Sequence, residues 1–399
     1  MTTPLSKNVQ RVAPSATLAI STQAKAMKAR GIDVIALSAG EPDFDTPEHI
    51  KDAAIRAIRD GATKYTPAVG TPELRRAIRD KFQQDNGLTY EPAQIVVGCG
   101  GKHVLFETMQ ALLGEEDEVI VPAPYWVSYP EQVKLLGAQP VIIQPASGRL
   151  KITAEELQKA ITPKTKLFIL NSPSNPSGEV YGKEELLALA DVILDAGITV
   201  LSDEIYEKIR YDGAIHYAIA GIKDGMMART ITVNGVSKAY AMTGWRIGYA
   251  AGPKEIMAAV GKIQSQQTSN PCSIAQAAAL AALTGPQEST AEMVKAFEER
   301  RSVIVERLNR IEGVSCPTPA GAFYVFPNVS VLYGSSYGDR RIAGSVDLCT
   351  FLLEEMHVAC VPGSAFGMDA HIRLSYATSM ENIRKALDRI EKGIGKLAK

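Results

Sequence analysis

Between Gln94 and Ala251 the chain alternates short apolar runs with amphipathic helical patterns, and this alternation constrains the fold more than any other feature. The runs are Ile95 to Val97, Val119 to Val121, Val141 to Ile143, Leu167 to Leu170, Thr199 to Leu201, Ile231 to Val233 and Ile247 to Ala250. Helical stretches such as Val104 to Leu113 and Lys183 to Ala196 lie between them, stopped by Gly114 and Gly197. That order predicts an α/β domain on a mostly parallel sheet. Ligands of such sheets bind at the carboxyl ends of the strands. The less ordinary residues gather there: Gly98 to Lys102, Pro124 to Trp126, Asn171 to Gly178, Asp203 to Tyr206, and Ser237 with Lys238.

Around this core the chain reads as two further parts. The first residues form an arm, a helix ended by Gly31 and a strand from Val34 to Leu37. Thr46 with Pro47, and Thr71 with Pro72, read as helix starts with the threonine as N-cap. Thr63 to Gly70, carrying Tyr65, is a turn-rich exposed segment. After Pro253 come three helical segments, the last from about Pro286 to Ile311, long enough to link two domains. The remainder reads as a small α+β domain with a loop at Tyr333 to Ser345 and a capping box, Thr378 to Glu381, opening the last helix. A length of 399 residues favours two domains. The division expected is 1–47 as an N-terminal arm and part of the small domain, 48–290 as the large domain, and 291–399 as the small C-terminal domain.

Composition excludes some partners. With 43 Lys and Arg against 44 Asp and Glu there is no electrostatic footprint for nucleic acid or an anionic membrane. Small molecules are the expected partners. Five scattered cysteines, none in a C-x-x-C pair, indicate neither a disulfide framework nor a zinc site. The first eight residues lack an apolar signal region and no 18-residue apolar stretch occurs, so a cytoplasmic, untargeted chain is expected.

Lys238 follows a short apolar run and is flanked by Val236, Ala239, Ala241 and Met242. Desolvation there would lower its pKa and free the amine for Schiff-base chemistry, although a lysine snorkelling at a strand end has the same surroundings. Gly98-Cys-Gly-Gly-Lys102 follows a strand and opens a helix, so its N–H groups face where an anion would sit. A tight structural turn is the alternative, since the run matches neither the Walker A pattern nor G-x-G-x-x-G. Asp203 is either an N-cap or a carboxylate for a cationic ring nitrogen or a metal. The five histidines show no metal or triad spacing. Trp126 fits a core position or a ring that stacks on a planar ligand. Arg373, within a strand, suits a bidentate grip on a carboxylate.

Together, a lysine, an acid for a ring nitrogen, an anion cradle and a carboxylate-binding arginine are the parts that a pyridoxal phosphate enzyme needs. Ser-Lys-Ala-Tyr-Ala-Met-Thr-Gly-Trp-Arg-Ile-Gly-Tyr, Asn-Ser-Pro-Ser-Asn-Pro-Ser-Gly, Ala-Gly-Glu-Pro-Asp-Phe-Asp-Thr-Pro, Ser-Asp-Glu-Ile-Tyr, Pro-Tyr-Trp-Val-Ser-Tyr-Pro and Arg-Leu-Ser-Tyr-Ala make the resemblance specific. Over essentially its whole length the chain resembles the class I aminotransferases of fold type I, and within them the bacterial aspartate and aspartate/prephenate subgroup. The resemblance implies a seven-stranded, mostly parallel sheet in a large domain, a small α+β domain, pyridoxal 5'-phosphate as cofactor, and transamination between L-aspartate and 2-oxoglutarate. It implies Lys238 as the Schiff-base lysine, Asp203 on the pyridinium nitrogen, Tyr206 and Asn175 on the ring O3′, and Trp126 stacked on the ring. Phosphate would be held by Gly100, Gly101, Lys102, Ser237 and Arg246, with Tyr65 entering from a second subunit of a homodimer. Arg373 would take the substrate α-carboxylate, helped by Asn175, Trp126 and Gly40, while Lys102, Ser15 and Thr17 would receive the distal carboxylate. Two departures stand out. His103 replaces the glutamine usual after Gly-Gly-Lys, and Ala13 stands where relatives often carry lysine, a basic position associated with prephenate use. The alternatives are prephenate, aromatic or broader donor specificity, a lyase on the same fold, or a non-enzymatic ligand-sensing module.

Overall fold

The computed structural model describes residues 4–146 and 148–398; Met1 to Thr3 of the expected arm, Ser147 and Lys399 lie outside the described residues. After a first short strand, β1 (Ile35–Ala36), the alternating region builds seven strands. These are β2 (Ile95–Gly98), β3 (Glu118–Pro122), β4 (Gln139–Ile143), β5 (Thr165–Asn171), β6 (Thr199–Asp203), β7 (Thr230–Gly235) and β8 (Gly248–Ala251). They lie side by side in the order β2-β8-β7-β6-β5-β3-β4. Four neighbouring pairs are parallel and the two made by β8 are antiparallel. The sheet is covered on both faces, which is why β2, β7 and β8 are buried at every residue and read as continuous apolar runs.

Register sets the site. Asn171 pairs with Asp203, and Asp203 with Val233, so the ends of β5, β6 and β7 form one rim. On the other side Gly98, Gly248 and Gly235 fall in one row across β2, β8 and β7. A Cβ on Gly248 would run into the backbone of Gly100 and Gly101, so the turn after β2 rests directly on this bare strand.

The chain beyond residue 320 adds β9 (Tyr324–Val325), β10 (Ser336–Tyr337), β11 (Arg340–Arg341), β12 (Val358–Ala359), β13 (Val361–Pro362) and β14 (Ile372–Ser375). β9, β14 and β13 form one antiparallel sheet, and β1 returns from the N-terminal part to pair with β12. The core around these strands includes Ile35 and Leu37 as well as residues from Met293 to Ile390. The helix Glu288–Asn309 reaches across the molecule. Its Thr290 hydroxyl donates to the Ala239 carbonyl at 2.8 Å, and its Arg307 bonds Glu391 at 2.6 Å.

Three local expectations are corrected. Thr46 caps no helix: the helix Glu48–Arg59 starts from Pro47, and the Thr46 hydroxyl instead donates to the Ala241 carbonyl at 2.7 Å and accepts the Trp245 indole N–H at 3.0 Å. The last helix begins one residue later than expected, with Ser379 accepting the Asn382 N–H. The expected loop at 333–345 contains the β10–β11 hairpin, turned at Gly338 in the left-handed region. Thr71 does cap its helix, accepting the Leu74 N–H with Pro72 in the first turn.

Candidate active site

A cavity of about 570 Å³ opens where the rim of the large sheet meets β1, β14 and the helix Ala16–Ala29. Of the expected residues it is lined by Thr17, Gly40, Gly101, Lys102, Trp126, Asn175, Asp203, Tyr206, Ser237, Lys238, Arg246 and Arg373. Gly100 lies just behind the lining, its left-handed φ of 94° placing it under the Arg246 guanidinium, where a Cβ would collide. Ser15 is set back as the N-cap of its helix, its hydroxyl 2.9 Å from that of Thr17. Tyr65 does not line the cavity of its own chain and is 90% exposed.

Lys238 stands on the turn that follows β7, half-buried, with its open side toward the cavity. Its amine donates to the Gly40 carbonyl and lies 6.0 Å from the Tyr206 ring centre and 5.9 Å from that of Phe323. Burial lowers its pKa to about 8; Arg246 and Arg373 push the same way, against Glu41 and Asp203. The turn itself is held in uncommon backbone. Ala241 and Arg246 have φ of 50° and 57°, a region that non-glycine residues seldom occupy.

Asp203 is buried at the end of β6. Its carboxylate accepts the Tyr129 hydroxyl at 2.6 Å and the Ile205 N–H at 3.2 Å. No helix starts at Asp203, so the N-cap reading fails; the residues after it form a turn. Burial raises its pKa to about 6, with Tyr129 and the Ile205 amide pulling against that rise. Beside it, the Trp126 ring meets Tyr129 edge-on, and the Lys102 amine sits 4.8 Å above the Trp126 ring. Asn171 ties the rim together, accepting the Asn175 N–H and donating to the Asp203 carbonyl.

Arg373 is 2% exposed. It donates to Asn175 Oδ1 at 2.9 Å and to the Ser38 carbonyl at 2.8 Å, and its guanidinium lies 4.5 Å from the Tyr324 ring centre. Its Nε has no partner among the described residues. Tyr206 and Tyr324 share a 2.9 Å hydroxyl contact, and burial, with each other's hydroxyl acting on Tyr206, holds the Tyr206 phenol well above its usual range. It therefore keeps its proton as a donor.

Tyr129, Tyr324 and Ser38 belong to this site without having been singled out by the sequence, and Asn171, expected only as the start of the rigid run to Gly178, belongs to it as well. Tyr129 stood three residues beyond Trp126, one helical turn away, which is the signal that could have found it.

The pocket fits a planar, cationic, phosphate-bearing ring. The amides of Gly101 and Lys102, in the first turn of the helix Gly101–Leu112, donate to no group among the described residues, as an anion-binding helix start requires. A buried acid, a flat aromatic wall and a lysine of lowered pKa surround the space next to them.

This α/β architecture is that of the fold type I transferases. Superposition on the aspartate aminotransferase of Rhizobium meliloti gives a TM-score of 0.96 at 48% identity, covering all of both chains. The aromatic aminotransferase of Pyrococcus horikoshii gives 0.85 at 39% identity, covering 92% of this chain and 98% of that one. In sequence the chain is 52% identical to the aspartate aminotransferase of Geobacillus stearothermophilus and to the aspartate/prephenate aminotransferase of Cereibacter sphaeroides, in each case over 97% of this chain and 98% of the relative. Residues 32–390 match the family Aminotransferase class I and II, to which the chain belongs. It is a pyridoxal-phosphate-dependent aminotransferase.

Proposed function

We propose that the chain exchanges an amino group between L-aspartate and 2-oxoglutarate. The observation that carries this reading is a pair of cationic receptors in one cavity: the buried Arg373, with its unpartnered Nε, and Lys102 above Trp126. Two such groups suit a substrate with two carboxylates. Relatives named aspartate aminotransferase support the same donor.

When bound, pyridoxal 5'-phosphate supplies an electron sink that makes the substrate Cα–H acidic. Asp203, held by Tyr129 and the Ile205 amide, would face the ring nitrogen and hold a proton on it. Tyr206 and Asn175 would hold O3′, and Trp126 would cover one ring face. The amides of Gly101 and Lys102, set by Gly100, would take the phosphate together with Ser237 and Arg246. Arg373 takes the α-carboxylate beside Asn175, Trp126 and Gly40; Lys102, Thr17 and Ser15 take the distal one. Lys238 would hold the cofactor through its amine and, once that amine is freed, would take and return the substrate Cα proton as general base and acid.

Tyr65, exposed in the single chain, reaches the phosphate of a second subunit in a homodimer, and the small-molecule reaction runs in the cytoplasm. No helix among the described residues is long and apolar enough to cross a membrane. Division into 1–47, 48–290 and 291–399 is supported by three cores that lie within 48–290 and a fourth that joins Ile35 and Leu37 to residues from Met293 to Ile390, with Tyr206, Ile209 and Tyr211 packed into it from the large domain. Aspartate is preferred to prephenate because Ala13 offers only a backbone N–H, bound to Glu131 at 2.7 Å, at the position where a cation would be needed.

The test is a panel of amino acids scored by absorbance for conversion of the bound aldehyde to its amine, with product analysis to detect elimination or decarboxylation. Aspartate should convert fastest. Preference for an aromatic donor, faster return of the amine form to the aldehyde by prephenate than by 2-oxoglutarate, or release of a lyase product, overturns the reading. Arg373→Lys should lower kcat/KM for aspartate and for alanine by a similar factor, roughly 100-fold for loss of a charged, bidentate partner; a loss confined to aspartate contradicts its role.

A further inference from the structure

The Gly98–Lys102 turn has an inner face as well as the face it presents to the cavity. That inner face rests on two titratable side chains that no step above uses. His103 Nδ1 accepts the Cys99 N–H at 3.2 Å. An imidazole nitrogen that accepts carries no proton, so the ring proton belongs on Nε2. Nε2 stands 3.3 Å from Oε1 of Glu107, one helical turn further on. Glu107 is fully buried, and neither of its oxygens has an aligned hydrogen-bond partner among the described residues. Burial pushes its carboxyl up to about 8, and burial with Arg246 lowers the His103 imidazole below its usual value. At neutral pH both side chains are uncharged, so no negative charge lies beneath the place where an anion would sit.

The Cys99 peptide is held from both sides. Its N–H points to His103, and its carbonyl accepts Arg246 at 3.4 Å. This peptide leads into Gly100, whose left-handed φ aims the next two amides into the cavity. We propose that His103, seated on Glu107, is a positioning residue of the cofactor-phosphate cradle: by fixing the Cys99 amide it keeps the Gly101 and Lys102 N–H groups convergent on the phosphate. The inference rests on the reading that this turn holds the phosphate. It predicts a loss in cofactor retention that precedes any loss in chemistry.

The experiment uses holoenzyme converted to its amine form by excess amino donor, so that no covalent bond masks the phosphate contacts. Release of the cofactor on dilution is followed by its absorbance. His103→Ala should release it about tenfold faster than wild type, the effect of one hydrogen bond. His103→Asn places an acceptor oxygen on the same Cγ that carries Nδ1 and should restore retention to within about twofold. His103→Gln fills the space but sets its acceptor one bond too far, and should release cofactor as the alanine variant does. At saturating cofactor, kcat of the three variants should stay within about twofold of one another. Wild-type retention in His103→Ala, or failure of His103→Asn to restore it, overturns the proposal. The non-phosphorylated amine serves as control. If wild type holds it as tightly as the phosphorylated form, the phosphate assignment of the turn itself fails; if wild type discriminates and His103→Ala does so equally, only the role of His103 fails.

Discussion

Lys238 and Asp203 are displaced from their ordinary titration ranges in opposite senses, and burial is the first cause of both. A free lysine, with its usual value of 10.5, keeps under a thousandth of its amine neutral at pH 7, whereas a value of about 8 leaves roughly a tenth. Capture of added cofactor by the apoprotein should therefore accelerate about tenfold per pH unit up to pH 8 and then level; a rise continuing past pH 10 would mean that Lys238 is not desolvated. For Asp203 the sign runs the other way. Its folded-state value lies above the usual one, so the carboxylate is lost as pH falls through about 6. The Tyr129 hydroxyl opposes that loss. Tyr129→Phe should move the acidic limb of cofactor binding to higher pH, measured by absorbance titration, and an unmoved limb would remove Tyr129 from the site.

The elements that carry these residues are joined by polar contacts far apart in sequence, and this decides what could be read beforehand. Strand positions in the large sheet were legible because most of their residues are buried and apolar, as all four of β2 are, while the edge strand β4 keeps only Ile143 buried. Thr46 was misread because a threonine before proline has the same local appearance whether its hydroxyl caps a helix or, as here, bridges to a carbonyl 195 residues away. Tyr324 was silent for the same reason: its partner, Tyr206, is 118 residues distant. The helix Pro72–Asn86 shows how strongly such contacts bind elements together. Its Lys81 is buried against Glu207, which also accepts Asn86 at 2.8 Å. Burial alone would raise the Glu207 carboxyl, yet Lys81 and His216 hold it down at about 2. Nearby, Glu204 is buried on His216 at 2.8 Å. Lys81→Met should thus leave the buried Glu207 without its lysine and destabilise the protein by about 3–5 kcal/mol in urea unfolding. A change below 1 kcal/mol would show that the pair is not held in solution.

At the scale of the molecule, the Lys238 turn is placed by segments far apart in the chain. Thr46 holds Ala241 and Trp245, Thr290 holds Ala239, and Gly40 receives the Lys238 amine. Tyr65, 90% exposed, is the residue proposed to act on a second copy. If two chains share each site, mixing the impaired variants Lys238→Ala and Tyr65→Ala under exchange should recover about a quarter of wild-type turnover, since half of the dimers are mixed and each mixed dimer has one intact site. No recovery from a mixture shown to exchange, or a fully active monomer by light scattering, would rule the shared site out.

The segment from Ser38 to Gly40 touches both working ends of the cavity: the Ser38 carbonyl receives Arg373, and the Gly40 carbonyl receives Lys238. An amine spent in a covalent bond no longer tethers Gly40, and a guanidinium drawn toward a carboxylate loosens its hold on Ser38. Three residues of main chain, directly after β1, thereby connect the two groups proposed to receive cofactor and substrate, while β1 itself stays paired with β12.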